Sequence, residues 1–108
     1  MTTTLTGTWD DARYGAVHMQ QVGTSITGTY EYSSTAGYQY GHVEGGIDSG
    51  LLQLRWWQGR DQGVPYEQGE YRGHAILTLS EDGDALDGEW LVEGATKPSA
   101  AWVLRRRR

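Results

Sequence analysis

A two-residue period running through almost the whole length limits this chain more than any other feature. Apolar and polar side chains alternate over eight stretches, 4 to 11, 15 to 22, 25 to 33, 38 to 47, 51 to 58, 69 to 80, 85 to 92 and 100 to 106. No stretch carries a helical period. Successive side chains of a strand point to opposite faces, so each stretch reads as a strand with one buried face. Three of them repeat one phrase, LTGTW at 5 to 9, ITGTY at 26 to 30 and LDGEW at 86 to 90. In each, an aliphatic residue, a glycine and a large aromatic fall two apart on the same face. Sixteen glycines, seven tyrosines and five tryptophans, against two prolines and no phenylalanine, agree with an all-β chain. At 108 residues there is material for one core. The expected organisation is a single domain over 1–108 with Arg105 to Arg108 as a basic tail.

The junctions between stretches alternate in size. VGTS, DSG and SEDGD are short polar turns of hairpin type, whereas DARYG, SSTAG, GRDQGVPYEQG and VEGATKPSA are longer or less regular. In an antiparallel meander this places the tight turns at one end of the sheet and the loops at the other. Eight strands of this kind can close into an up-and-down barrel, which removes the exposed edges. The expected fold is therefore an eight-stranded antiparallel meander barrel with a tight floor and a loop-ringed mouth.

The more apolar face of each strand sets what points inward. Leu5, Ile26, Ile47, Leu52, Leu79, Leu86 and Leu104 fall toward the floor, with Gln21 as a hydrogen-bonded floor residue. Asp11, Tyr30, Tyr32, Gln39, Trp56, Gln58, Tyr71, Trp90 and Trp102 fall toward the mouth. Several of these side chains carry polar groups that need partners, which points to a wet, partly aromatic pocket. Outward on strands four and five stand Tyr38, Tyr40, His42, Leu51, Arg55 and Trp57, a strip suited to association.

Several chemistries are set aside at this level. With no cysteine there is no disulfide framework, thiolate nucleophile or cysteine-held metal. His18, His42 and His74 all fall on the outward register, so no imidazole tripod is expected inside and no metal site is assigned. The inward set holds no serine and one carboxylate, Asp11, so no catalytic residue is assigned either. Four of the nine basic residues are the terminal arginines, leaving an acidic body; a nucleic-acid partner is not expected. MTTTLTGTWD has no basic segment followed by an apolar run, and no run of about 18 apolar residues occurs, so the expectation is a cytoplasmic chain without membrane contact.

The GTW near the amino end, GTYEY on the third strand and EWLVEGATKPSAAW near the end resemble avidins and streptavidins. Short GTW, TGTY and DG-x-x-x-G-x-W phrases are also similar to those of a wider group of small bacterial barrels. The resemblance implies that Trp56, Trp90 and Trp102 match the aromatic walls of the ligand chamber, Tyr30 the tyrosine that donates to the ligand, and Asp11 the first-strand asparagine. It departs from the family at Ala16, Tyr32, Ala75 and Leu77, where hydroxyl-bearing residues belong, and the last-strand aspartate has no counterpart. Each lost polar partner costs about 1–3 kcal/mol, so a guest other than biotin is expected. Trp9 and Arg106 resemble the first-strand tryptophan and last-strand basic residue that close lipocalin-type barrels through a cation–π contact.

Three functional readings follow. The leading one is a small-molecule-binding barrel whose mouth residues hold an amphipathic or aromatic guest, without a cofactor, Asp11 favouring a donor-rich or cationic group. The second is a small cyclase-type or isomerase-type enzyme acting by confinement of its substrate. The third is a homo-oligomeric module using the outer face at Tyr38, Tyr40 and Trp57.

Overall fold

The computed structural model describes residues 4–11, 15–34, 37–59, 63–69 and 71–107, with backbone alone for 32–34 and 37–39. Eight strands follow one another, β1 (Gly7–Asp11), β2 (Gly15–Val22), β3 (Ser25–Ser34), β4 (Gly37–Asp48), β5 (Leu51–Gly59), β6 (Tyr71–Leu79), β7 (Ala85–Val92) and β8 (Ala100–Arg106). Each pairs antiparallel with the next and β8 returns to β1, so the sheet is a closed meander barrel. Among the described residues no helix is long and apolar enough to cross a membrane.

Turn chemistry explains the tight end. Between β4 and β5, Ser49 and Gly50 have φ of 51° and 82°, the pair of positive values of a type I′ hairpin turn, whose twist suits the flanking strands. The β6–β7 turn is tied by its own side chains. Ser80 Oγ donates to Asp82 Oδ1 at 2.6 Å, and the Asp84 amide donates to the same oxygen at 3.0 Å.

Because barrel strands tilt, residues paired across strands form rows that climb around the wall. One row runs Trp9, Val17, Tyr30, Gly41, Gln58, Tyr71, from the lower barrel to the rim. Its neighbour runs Met19, Gly28, Val43, Trp56, Gly73, Val92. Glycine and a large ring meet in both. A Cβ at Gly41 would run into the Tyr30 ring, and one at Gly73 would fall 2.8 Å from Trp56 Cζ2. These glycines are the seats on which the neighbouring rings lie.

The floor is aliphatic, and its Trp9, Gln21 and Arg106 polar groups are hydrogen-bonded. Leu5, Ile26, Leu52, Leu86 and Leu104 are fully buried together with Trp9. Trp9 Nε1 donates to Leu5 O at 2.9 Å, and Arg106 places its guanidinium 4.4 Å from the Trp9 ring centroid. The same guanidinium donates to Gly83 O in the β6–β7 turn and to Thr4 O in the N-terminal segment. Gln21 completes the seam, accepting from the Leu5 amide at 2.8 Å and donating to Gly23 O at 2.8 Å.

Most strand ends fall within two residues of the sequence reading, and two differences at the chain ends bear on the floor. The first strand begins at Gly7 rather than at residue 4, because Gly7 takes a φ of 138° and lets Thr4 to Thr6 turn across the floor. The basic tail is also shorter than 105–108. Arg105 and Arg106 belong to β8, and the Arg107 amide still donates to Thr8 O. Arg107 pairs with Asp10 through its guanidinium, which holds the Asp10 carboxyl below its ordinary value. Arg108 lies outside the described residues.

Candidate functional site

A cavity of about 210 Å³ opens at the mouth. Its walls come from β2, β3, β5, β6, β7 and β8, through Val17, Tyr30, Trp56, Gln58, Tyr71, Trp90 and Trp102. An apolar cavity of about 150 Å³ already admits benzene, so there is room for one ring or a compact branched group.

Trp56 is the central wall. Its Nε1 donates to His74 O at 3.1 Å, which fixes the indole edge to the β6 backbone. Trp90 stands 5.5 Å from it at an interplanar angle of 89°, and Tyr71 stands 5.1 Å from it at 61°. Tyr71 and Trp90 are 6.5 Å apart at 77°. The three rings therefore meet edge-on at steep angles, between 61° and 89°. Tyr71 is the outermost, 43% exposed at the start of β6.

The polar element sits on the row below the rim. Gln58 Nε2 donates to the Tyr30 hydroxyl oxygen at 2.9 Å, leaving the phenol its own proton to donate. Burial pushes the Tyr30 phenol up to about 12, only partly offset by the hydrogen bond from Gln58. At neutral pH the group is a neutral donor and not a base. The buried Nε1 of Trp102 has no hydrogen-bond partner among the described residues.

Of the nine mouth residues read from the sequence, Tyr30, Trp56, Gln58, Tyr71, Trp90 and Trp102 come together around this cavity. Asp11 does not line it. Asp11 is half-buried at the end of β1, where it pairs with Gly15. The side chains of Tyr32 and Gln39 lie outside the described residues, although their backbones pair across β3 and β4. Val17 is the wall residue that the functional reading missed. Its place in the row between Trp9 and Tyr30 was the available signal.

The outer strip needs a correction at Trp57, which points outward yet is 8% exposed. The β5–β6 connection folds back over it. Trp57 Nε1 donates to Val64 O at 2.7 Å, and Tyr66, in a short 3-10 turn at Tyr66–Gln68, packs edge-on at 5.7 Å. Arg55 and Arg72 stand 4.9 and 5.2 Å from the Tyr66 ring centroid, and His42 stacks on Trp57 at 5.1 Å. Trp57 is thus committed to holding this connection against the barrel wall. The side chain of Tyr38 lies outside the described residues, and Tyr40 is half-buried. Comparison with protein-family models, with curated proteins and with solved structures returns no match.

Proposed function

We propose that this chain is a small-molecule-binding barrel of avidin or lipocalin type, holding a compact amphipathic or aromatic guest in the mouth chamber. The observation that carries the reading is the convergence of four large rings and one part-buried hydrogen-bonded pair, Tyr30 with Gln58, on a single open cavity. A guest would stack on Trp56, Trp90 and Trp102 and accept a hydrogen bond from the Tyr30 hydroxyl. None of the described lining residues is an acid, a histidine or a lysine, and Tyr30 keeps its proton at neutral pH. That lining suits binding better than turnover by acid–base chemistry. The closed eight-strand meander supports kinship with avidin-type barrels at the level of architecture.

Saturation-transfer NMR with benzyl alcohol, p-cresol and choline tests the reading. Guests that bind the parent should lose at least about tenfold in affinity in Trp56→Ala or Tyr30→Ala, as expected when a stacking wall or a buried donor is removed. If both variants, folded by circular dichroism, bind every guest as the parent does, the chamber is not the site.

A further inference from the structure

We propose that Tyr66, on the outside of the barrel, is a positioning residue for the mouth chamber: the clamp it forms with Trp57 and Arg72 keeps Gln58 and Tyr71 in place on the inside. This rests on the reading of the mouth as a ligand chamber and adds to it a residue that touches no guest.

Two adjacent pairs of the β5–β6 ladder carry the argument. The last pair is Gln58 with Tyr71, and the one before it is Trp57 with Arg72. Side chains alternate between the faces of a strand, so the last pair points inward and its neighbour outward. Gln58 and Tyr71 both line the cavity. Gln58 donates to the Tyr30 hydroxyl oxygen at 2.9 Å, and Tyr71 packs edge-on against Trp56 at 5.1 Å. This pair stands next to the connection 60–70, and on the far side of β6 the ladder with β7 begins two residues later, at Gly73 with Val92. Ladder ends open locally at little cost, and the side chains they carry lose their places with them. A fixed geometry for Gln58 and Tyr71 therefore depends on what fastens this end.

The outward pair supplies the fastening. Trp57 Nε1 donates to Val64 O at 2.7 Å, and its ring meets Tyr66 edge-on at 5.7 Å. From the other strand, Arg72 Nη1 donates to Tyr66 O at 3.0 Å, and the guanidinium stands 5.2 Å from the Tyr66 ring centroid. Arg55 stands over the same ring at 4.9 Å and is paired with Glu44 at 3.0 Å. Both strands thus grip one residue of the connection, and β5 and β6 are tied to each other through Tyr66. Glycines let the connection lie close. A Cβ at Gly59 would fall 2.5 Å from Val64 Cγ1, and one at Gly69 would fall 3.0 Å from Trp57 Cβ. The ion pairs Arg55–Glu44 and Arg72–Glu93 are partly exposed and contribute little alone. The buried element is the Trp57 indole, 8% exposed. Loss of the Tyr66 ring uncovers that indole and releases the strand ends where the inward pair sits. Tyr66 enters the clamp with its ring and its carbonyl oxygen, so phenylalanine in its place keeps every one of these contacts.

Isothermal titration calorimetry of the full chain with benzyl alcohol and p-cresol, together with amide hydrogen exchange, tests the proposal. Tyr66→Ala should bind about tenfold more weakly than the parent, the factor expected when the guest must itself order one or two loosened side chains. Tyr66→Phe should bind as the parent does. Without a guest, exchange in Tyr66→Ala should quicken at residues 56–58 and 71–73 and stay unchanged at 52–54 and 75–77, the floor half of the same ladder. If Tyr66→Ala does not fold, Arg72→Met, which keeps the apolar stem and removes the guanidinium, carries the same two expectations. Affinity equal to the parent's in the variant overturns the positioning role and leaves the chamber standing. Weaker binding with exchange quickened equally along the whole ladder also overturns it, because the effect is then one of global stability. If the parent binds neither guest, the chamber reading falls and the proposal falls with it.

Discussion

The two ends of this barrel are built from the same vocabulary and reach opposite states. Trp9 and Trp90 each close a phrase of aliphatic, glycine and aromatic, yet Trp9 is fully buried under Arg106 while Trp90 lines an open cavity. Position in the tilted rows decides between them. At the floor, Leu5, Leu86 and Leu104 surround the indole, the N-terminal segment accepts its N–H, and a guanidinium covers its face. At the mouth, the rings of Trp56, Tyr71 and Trp90 pack edge-on against one another beside an open cavity. A ring whose polar edge and faces are all satisfied contributes to stability. One that lines an open cavity can meet a guest there.

Several substitutions would break or sharpen that contrast. The largest effect is expected for Trp9→Ala, which removes a fully buried indole and leaves Arg106 over a void. A loss of about 3–5 kcal/mol in urea unfolding is expected, whereas Trp90→Leu at the mouth should cost about 1 kcal/mol or less. Similar losses at the two sites would end the distinction.

Next in size is a pH effect from Tyr30. Its folded phenol is raised to about 12 against an ordinary value near 10, so between these values the unfolded chain has released its proton and the folded chain has not. The contribution is whole below about pH 10 and is lost as pH rises through 12, up to roughly 3 kcal/mol. Chemical denaturation of the parent and of Tyr30→Phe over this range should show a steeper decline in the parent; parallel slopes would mean that the phenol is not desolvated.

Arg106→Met should cost about 2 kcal/mol by removing the cation–π contact and the hydrogen bonds to Gly83 and Thr4. Arg107→Met, which loses only an exposed pair with Asp10, should leave the urea midpoint in place. If the two variants behaved alike, the floor seam would not be the special contact described above.

How much of this was written in the sequence differs between wall and loops. The strands, their register and the gradient from aliphatic floor to aromatic mouth follow from a period of two, because a slip of one residue would turn every inward side chain outward. Six mouth residues therefore meet as the alternation indicates. Asp11 lies at the end of β1 and is not among the residues lining the cavity, because register gives the face but not the reach. Trp57 was misjudged for a different reason. Its outward direction is legible, but its cover comes from Val64, Tyr66 and Gly69 in a connection without periodicity. An aromatic at Tyr66 in the connection that follows an outward tryptophan was the available signal that the loop folds back. The turn across the floor at Thr4 to Thr6 likewise depends on one glycine with positive φ, which alternation cannot reveal.

The most direct test of the mouth as the binding end is a two-dimensional ¹H–¹⁵N spectrum of the five tryptophan indoles, assigned by single substitution and recorded with increasing choline or benzyl alcohol. If the mouth binds the guest, the signals of Trp56, Trp90 and Trp102 move in step, while those of Trp9 and Trp57, sealed by Leu5 and Val64, stay in place. Movement of Trp9 or Trp57 with the mouth indoles unchanged would contradict it.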